Sequence, residues 1–229
     1  MTEIILSLIA AVLAITLHEA AHAYAALALG DDTARKAGRL SLNPLVHVDR
    51  VGTVLLPLGL LAGQLLLLGR VAFMFGWAKP VPVAAWRFAN PRRGMMWVAA
   101  AGPAMNFALA WLGGLGFHLL ASMPASTRVW GEDFLFAFIL TNLVLGLFNL
   151  IPIPPLDGGR IAVGLLPEGA AMAWARAERY GIVAVILVLF VLPELAPHLG
   201  FRFDPVGAAL NDLLPRALRF VLVLSGNHP

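Results

Sequence analysis

Two histidines and a glutamate stand in the middle of an alanine-rich apolar run, 14-AITLHEAAHAYAALALG-30. On a helix, His18 and His22 lie one turn apart on a single face. Two imidazoles at that spacing can hold one zinc ion, and H-E-x-x-H is the zincin pattern, with its glutamate as general base. Glu19, beside the first histidine, is within reach of a proton on a water activated by the metal. The ion also answers an energetic question. A lone carboxylate at the centre of a spanning helix costs about 2.5 kcal/mol or more, and a divalent cation held by two neutral imidazoles makes it far cheaper. The structural alternative is a polar cluster that serves helix packing.

A catalytic zinc usually has three protein ligands and a fourth position for water. Cysteine is absent, so the third ligand must be His, Asp or Glu. The best candidate lies in 149-NLIPIPPLDGGR-160, where Asp157 follows a proline-rich break and precedes two glycines. Backbone opened by proline at membrane depth is tolerated only against protein or a water-filled cavity, which suits a metal site. An Asp-Gly pair also caps short helices, so Asp157 reads equally as a ligand and as a cap.

These residues need helices to position them. Of 229 residues, 60% are hydrophobic and 13% charged, with a mean hydropathy of +0.83; soluble domains carry about 25% charged residues. The composition predicts an all-α polytopic membrane protein, a single membrane-embedded domain over 1–229. Spanning helices need about 20 apolar residues, and the sequence predicts them at 4–29, 95–122, 133–152, 180–197 and 206–224. A sixth run, 51–69, is interrupted by Pro57, Gly59 and Gly63. The net charge of +3 is spread over loops, which points to membrane topology and away from nucleic acid. The N-terminus lacks a basic n-region and reads as a retained first helix.

Charge placement decides how 51–69 sits. If it enters and returns by one side, turning near 57–63, the basic residues of 30–93 join Arg160, Arg176 and Arg179 on that side. Only Arg128 and Arg202 then lie in loops opposite, which satisfies the positive-inside rule. This arrangement puts the N-terminus outside, the C-terminus in the cytoplasm, and the active site toward the cytoplasmic side. It also brings Asp157 to the side of His18 and His22, which a crossing by 51–69 would forbid. The expected fold is thus a bundle of five to six transmembrane helices with a re-entrant segment. The stretches 40–49 and 71–83, β-branched and aromatic residues broken by Gly and Pro, predict a small membrane-associated β element.

In 18-HEAAH-22, 102-GPAMN-106 and 149-NLIPIPPLDGG-159 the chain resembles the site-2 protease family of intramembrane zinc metalloproteases, and 73-FMFGWAKPVPV-83 and 40-LSLNPLVHVD-49 are similar to a small branch of it. The resemblance covers about residues 14–160; no inserted PDZ-like or CBS-like domain is apparent. It implies one catalytic Zn2+ and, as substrate, a membrane protein cleaved in or beside a transmembrane helix, in a prokaryotic plasma membrane. Such a substrate must be locally unwound, and pairing with an exposed strand edge would hold it extended. Asn149, eight residues before Asp157, is a candidate to bond the substrate backbone, as the resemblance also implies. Asn106 is a second candidate, with interhelical bonding as its alternative.

Other polar residues read as structural. His47 lies in a loop, His118 on an apolar helix, and His198 and His228 are assigned nothing. The six tryptophans suit an aromatic belt, and Gly113, Gly114 and Gly116 suit close helix contact. Two rivals remain: a divalent-metal transporter, since intramembrane ionisable groups also mark ion pathways, and a non-catalytic membrane scaffold. The concentration of ionisable groups at one depth argues against the first, the intact Glu19 against the second.

Overall fold

A stripe of small residues sets the architecture. Ala10, Ala14, His18, His22 and Ala26 recur at four-residue spacing along α1 (Thr2–Ala28), and all are buried, while Ile4, Ile5 and Leu8 on the other faces are exposed. Small side chains let helix axes approach closely, and α1 packs against two long helices, α3 (Pro91–Leu120) and α4 (Ala125–Asn149). The structure is a computed structural model and describes residues 2–70 and 76–227. Between α1 and α3 lies α2 (Leu56–Leu68); beyond α4 come α5 (Asp157–Leu165), a segmented helical run over Glu168–Leu199, and α6 (Pro205–Leu224). No strand forms among the described residues. Of the stretches expected to form a β element, 71–75 lies outside the described residues, 76–83 forms neither helix nor strand, and Pro44–His47 is a 3-10 turn.

Among the described residues, four helical stretches are long and apolar enough to cross a membrane: Thr2–Ala28, Pro91–Leu120, Ala125–Asn149 and Glu168–Leu199. The expected span at 206–224 forms α6 but does not join them, because Asp212, Arg216 and Arg219 repeat along its face at helical spacing. Its far end is also not where the charge pattern predicts. Ser225 O accepts from His118 Nε2 (2.7 Å) and Asn227 Nδ2 donates to Gly114 O (2.7 Å), within the last two turns of α3. The end of α6 therefore shares a side with the α3–α4 turn, whereas the charge reading puts them on opposite sides.

Residues 51–69 differ from expectation in where they turn. A π-type stretch, Arg50–Leu55, continues directly into α2, with no break at 57–63. Pro57 lies where the π-type stretch passes into α2, and Gly59 and Gly63 face open space. The helix carries the chain about 25 Å away, yet it is back by Gly76 and Trp77. Trp77 N donates to Gly52 O (3.1 Å), Thr53 Oγ1 to Trp77 O (2.8 Å) and Lys79 N to His47 O (2.8 Å). The buried Arg39 guanidinium completes this base by donating to Lys79 O (2.5 Å). The excursion leaves and returns at one place.

The end of α1 is stapled to the approach to α3. Asp31, fully buried, accepts from Thr33 N (3.0 Å), Thr33 Oγ1 (2.5 Å) and Ala84 N (2.6 Å), and pairs with Arg87 at 3.5 Å. Burial pushes its carboxyl up, but these bonds outweigh it and hold it below the usual carboxylate range. Its neighbour Asp32 is held at about 2 by the Lys36 ammonium and the Arg87 guanidinium.

Candidate metal centre

The site is assembled where α1 crosses α3. His18 and His22 point from the same face of α1 toward Gly102, and a Cβ on that residue would lie 2.5 Å from Cε1 of both rings. Glycine is required there because imidazoles occupy the space of a side chain. From the other flank, Asp157 opens α5 in its first turn. Leu156, the residue before it, carries the cap position, and Asp157 makes no capping hydrogen bond. The Asp-Gly-Gly sequence is explained by packing. A Cβ on Gly158 would strike the Leu150 and Ile151 carbonyls, and one on Gly159 would press on the Pro154 backbone.

Three donor atoms converge. His18 Nε2 and His22 Nε2 are 3.0 Å apart, and Asp157 Oδ2 lies 3.1 Å from the first and 3.3 Å from the second. All three residues are buried, and Asp157 Oδ2 accepts no hydrogen bond among the described residues. The opposite ring nitrogens fix the tautomers. His22 Nδ1 lies 2.7 Å from the Val98 carbonyl, which only accepts, so Nδ1 carries the proton. For His18 the direction is set from further away. Asn142 Nδ2 donates to Phe138 O (2.9 Å), so Asn142 Oδ1 accepts from Asn106 Nδ2 (2.9 Å), and Asn106 Oδ1 accepts from His18 Nδ1 (2.6 Å). With its proton on Nδ1, each ring in its neutral form presents a bare Nε2 lone pair to the other ring and to a carboxylate oxygen. That arrangement repels itself unless a cation sits among the three atoms.

The donors also have the right spacing. Bonds of about 2.0–2.1 Å in a tetrahedron put ligand atoms about 3.3 Å apart, against the 3.0–3.3 Å of this trio. The residues fit a zinc ion held by two nitrogens and one oxygen, with one corner left for water. Glu19 is half-buried, one of its carboxylate oxygens lies within 4.8 Å of ligand nitrogens of both histidines, and it makes no hydrogen bond among the described residues. It is a free acceptor beside the trio.

The two asparagines read as substrate-binding have different positions. Asn106 is fully buried, and both ends of its amide are engaged, the nitrogen also reaching Ala14 O at 3.4 Å. These bonds match the interhelical alternative for Asn106, whose oxygen holds His18. Asn149 ends α4 half-buried, with Nδ2 donating to Leu145 O (3.0 Å) and Oδ1 making no bond among the described residues. It lies seven residues from Asn142, hence on the same face two turns on. Asn142 itself is fully buried and was missed; an asparagine in an apolar helix carries no local mark of its partner. His47 bonds Ser41 O (3.0 Å) and belongs to the base of the excursion, and His118 belongs to the end of α6.

Comparison with known proteins agrees with this chemistry. Residues 118–192 match peptidase family M50. The chain is 45% identical over 193 residues to YwhC of Bacillus subtilis, covering 80% of this chain and 78% of that protein. It is 35% identical over 185 residues to Rip2 of Mycolicibacterium smegmatis, covering 80% of this chain and 65% of Rip2. Both relatives carry the name "Putative zinc metalloprotease". No solved structure matches the chain. With the zincin helix, the apolar spans and relatives of this similarity together, the chain belongs to peptidase family M50, the intramembrane zinc metalloproteases of site-2 protease type.

Proposed function

We propose that His18, His22 and Asp157 hold the zinc ion and that Glu19 is the general base for hydrolysing a peptide bond in or next to a substrate's transmembrane segment. The observation that carries this is the trio of donor atoms from α1 and α5, whose lone pairs face one another at tetrahedral spacing. Zinc bound there supplies a Lewis acid that polarises the scissile carbonyl and acidifies water. Glu19, free of other bonds, accepts the proton of the attacking water and delivers it to the leaving amine. Val98 O, and Asn106 through its amide oxygen, hold the two imidazoles in the ligating tautomer. Asn149, with its oxygen free, bonds the backbone N–H of the unwound substrate.

The 50–76 excursion is the re-entrant segment of this reading, entering the bilayer and returning by the side of its base. Residues 77–83 then act as the β element: Trp77 and Lys79 spend their backbone groups on 47–53 and Arg39, while the N–H and C=O of Ala78 and Val81 make no hydrogen bond among the described residues and would serve an added strand. Relatives in bacteria support a prokaryotic plasma membrane, and the positive-inside pattern supports a site toward the cytoplasm. A divalent-metal transporter is not favoured, because the trio forms one site among the described residues, with two tautomer-fixed histidines and a carboxylate.

The test is zinc content and cleavage of a transmembrane-helix substrate by purified protein beside its Asp157→Ala variant. One zinc per chain in the first and loss of both metal and cleavage in the second are expected. A variant that keeps its zinc overturns the three-ligand assignment.

A further inference from the structure

We infer that Asn142 is a positioning residue of the metal centre: acting through Asn106, it decides which nitrogen of His18 carries the proton. The inference rests on His18 being a zinc ligand. An asparagine amide is nearly symmetric in shape, so Asn106 could present either its oxygen or its NH2 to His18. Presented as NH2, it would demand an acceptor at Nδ1, push the proton to Nε2 and remove the lone pair that a metal needs. The second Asn106 contact, Ala14 O at 3.4 Å, is too long to settle the orientation alone. Asn142 settles it with an oxygen at 2.9 Å, and its own direction is locked by donation to the Phe138 carbonyl, which accepts only.

The relay Phe138–Asn142–Asn106–His18 thus runs one way, from α4 through α3 to α1. Asn142 and Asn106 have no exposed surface, so no water substitutes for a missing partner. A buried amide pair with no other polar neighbour among the described residues is costly to keep for packing alone, since apolar side chains of the same shape serve that end at least as well. Partners of this kind typically change metal affinity by about 10–100-fold.

The experiment compares wild-type, Asn142→Leu, Asn142→Asp and His18→Ala proteins in detergent. It measures zinc affinity by chelator competition, melting of the metal-free protein, and the His18 tautomer by histidine 15N NMR. Asn142→Leu should bind zinc about 10–100-fold more weakly, melt as wild type does, and show His18 with protonated Nε2. A buried aspartic acid is neutral there, so Asn142→Asp still donates to Phe138 O and accepts from Asn106, and should return affinity to near the wild-type value. Asn142→Ala repeats the test if the leucine variant does not fold. Wild-type affinity in the leucine or alanine variant overturns the inference. So does a loss shared by Asn142→Asp that follows lowered melting, the mark of a packing role. If His18→Ala binds zinc as wild type does, the ligand assignment falls; if it loses zinc while Asn142→Leu keeps it, only the role of Asn142 falls.

Discussion

Adding one methyl group at Gly102 should empty the metal centre. A Cβ there lies 2.5 Å from Cε1 of His18, 2.5 Å from Cε1 of His22 and 2.6 Å from His22 Nε2, whereas carbon atoms rest about 3.5–4.0 Å apart. The imidazoles or the helix must move by about 1 Å. Neither ring can rotate away freely, because Val98 O and Asn106 Oδ1 hold their Nδ1 atoms at 2.7 and 2.6 Å. Zinc sites tolerate about 0.2 Å in ligand distance, so a shift of this size costs the ion. Glycine to alanine inside a helix normally gains about 1 kcal/mol; overpacking of a filled interior costs about 1–3 kcal/mol, and the sign reverses. The assay is zinc content by mass spectrometry, melting of the purified protein, and cleavage of a transmembrane-helix substrate. Gly102→Ala should be folded, hold little zinc and cleave at least 10²-fold more slowly. Full zinc with wild-type cleavage would refute the claim that the two imidazoles occupy the Gly102 side-chain space.

Three further outcomes are expected. Glu19→Gln should retain zinc and melting temperature while cleavage falls by about 10²–10⁴-fold, since only proton transfer is lost; retained cleavage would move the base elsewhere. The carboxylates at the end of α1 have pKa values below their unfolded value of 3.8, Asp32 at about 2. Their stabilisation is fully present above 3.8 and is lost as pH falls through about 2. Arg87→Ala should raise the pH at which acid loosens this staple, as measured by proteolysis of the 30–90 region, and an unchanged acid midpoint would count against it. Finally, single cysteines at Met123 and appended after Pro229 should react from one side of the membrane and one at Arg35 from the other. The native chain has no cysteine to interfere, and labelling of the C-terminal cysteine from the Arg35 side would contradict the placement of α6 beside His118.

How much was legible in the sequence follows from the range over which each interaction acts. The His18–Glu19–His22 face depends on spacing within one helix, and periodicity alone displays it. Asp157 stood out because a carboxylate follows a proline break in apolar sequence, though its approach to His18 and His22 at 3.1 and 3.3 Å is a contact across the fold. Gly102 and Asn142 act across helix crossings, and nothing beside them in sequence reveals the imidazoles or the amide they meet. Pro57, Gly59 and Gly63 misled because they read as breakers. Proline falls where the π-type stretch passes into α2 without breaking the run, and glycine costs only about 1 kcal/mol in a leucine-rich helix. The charges of α6 were visible all along; counting its apolar residues hid their stripe.

The separation of His18 from Asp157 along the chain has a consequence for biosynthesis. The histidine pair is made early, while the carboxylate that completes the trio waits for α3 and α4 to be translated and inserted. At about 5–20 residues per second, the growing polypeptide spends on the order of ten seconds with Glu19 and its histidines in a helix that lacks its third donor. On the proposed ligand assignment, the nascent chain offers an ion two nitrogens alone during that interval and is expected to cleave nothing. With the proposed ligand set, the centre is complete only once 149–159 folds back onto α1, after α3 and α4 are both in place.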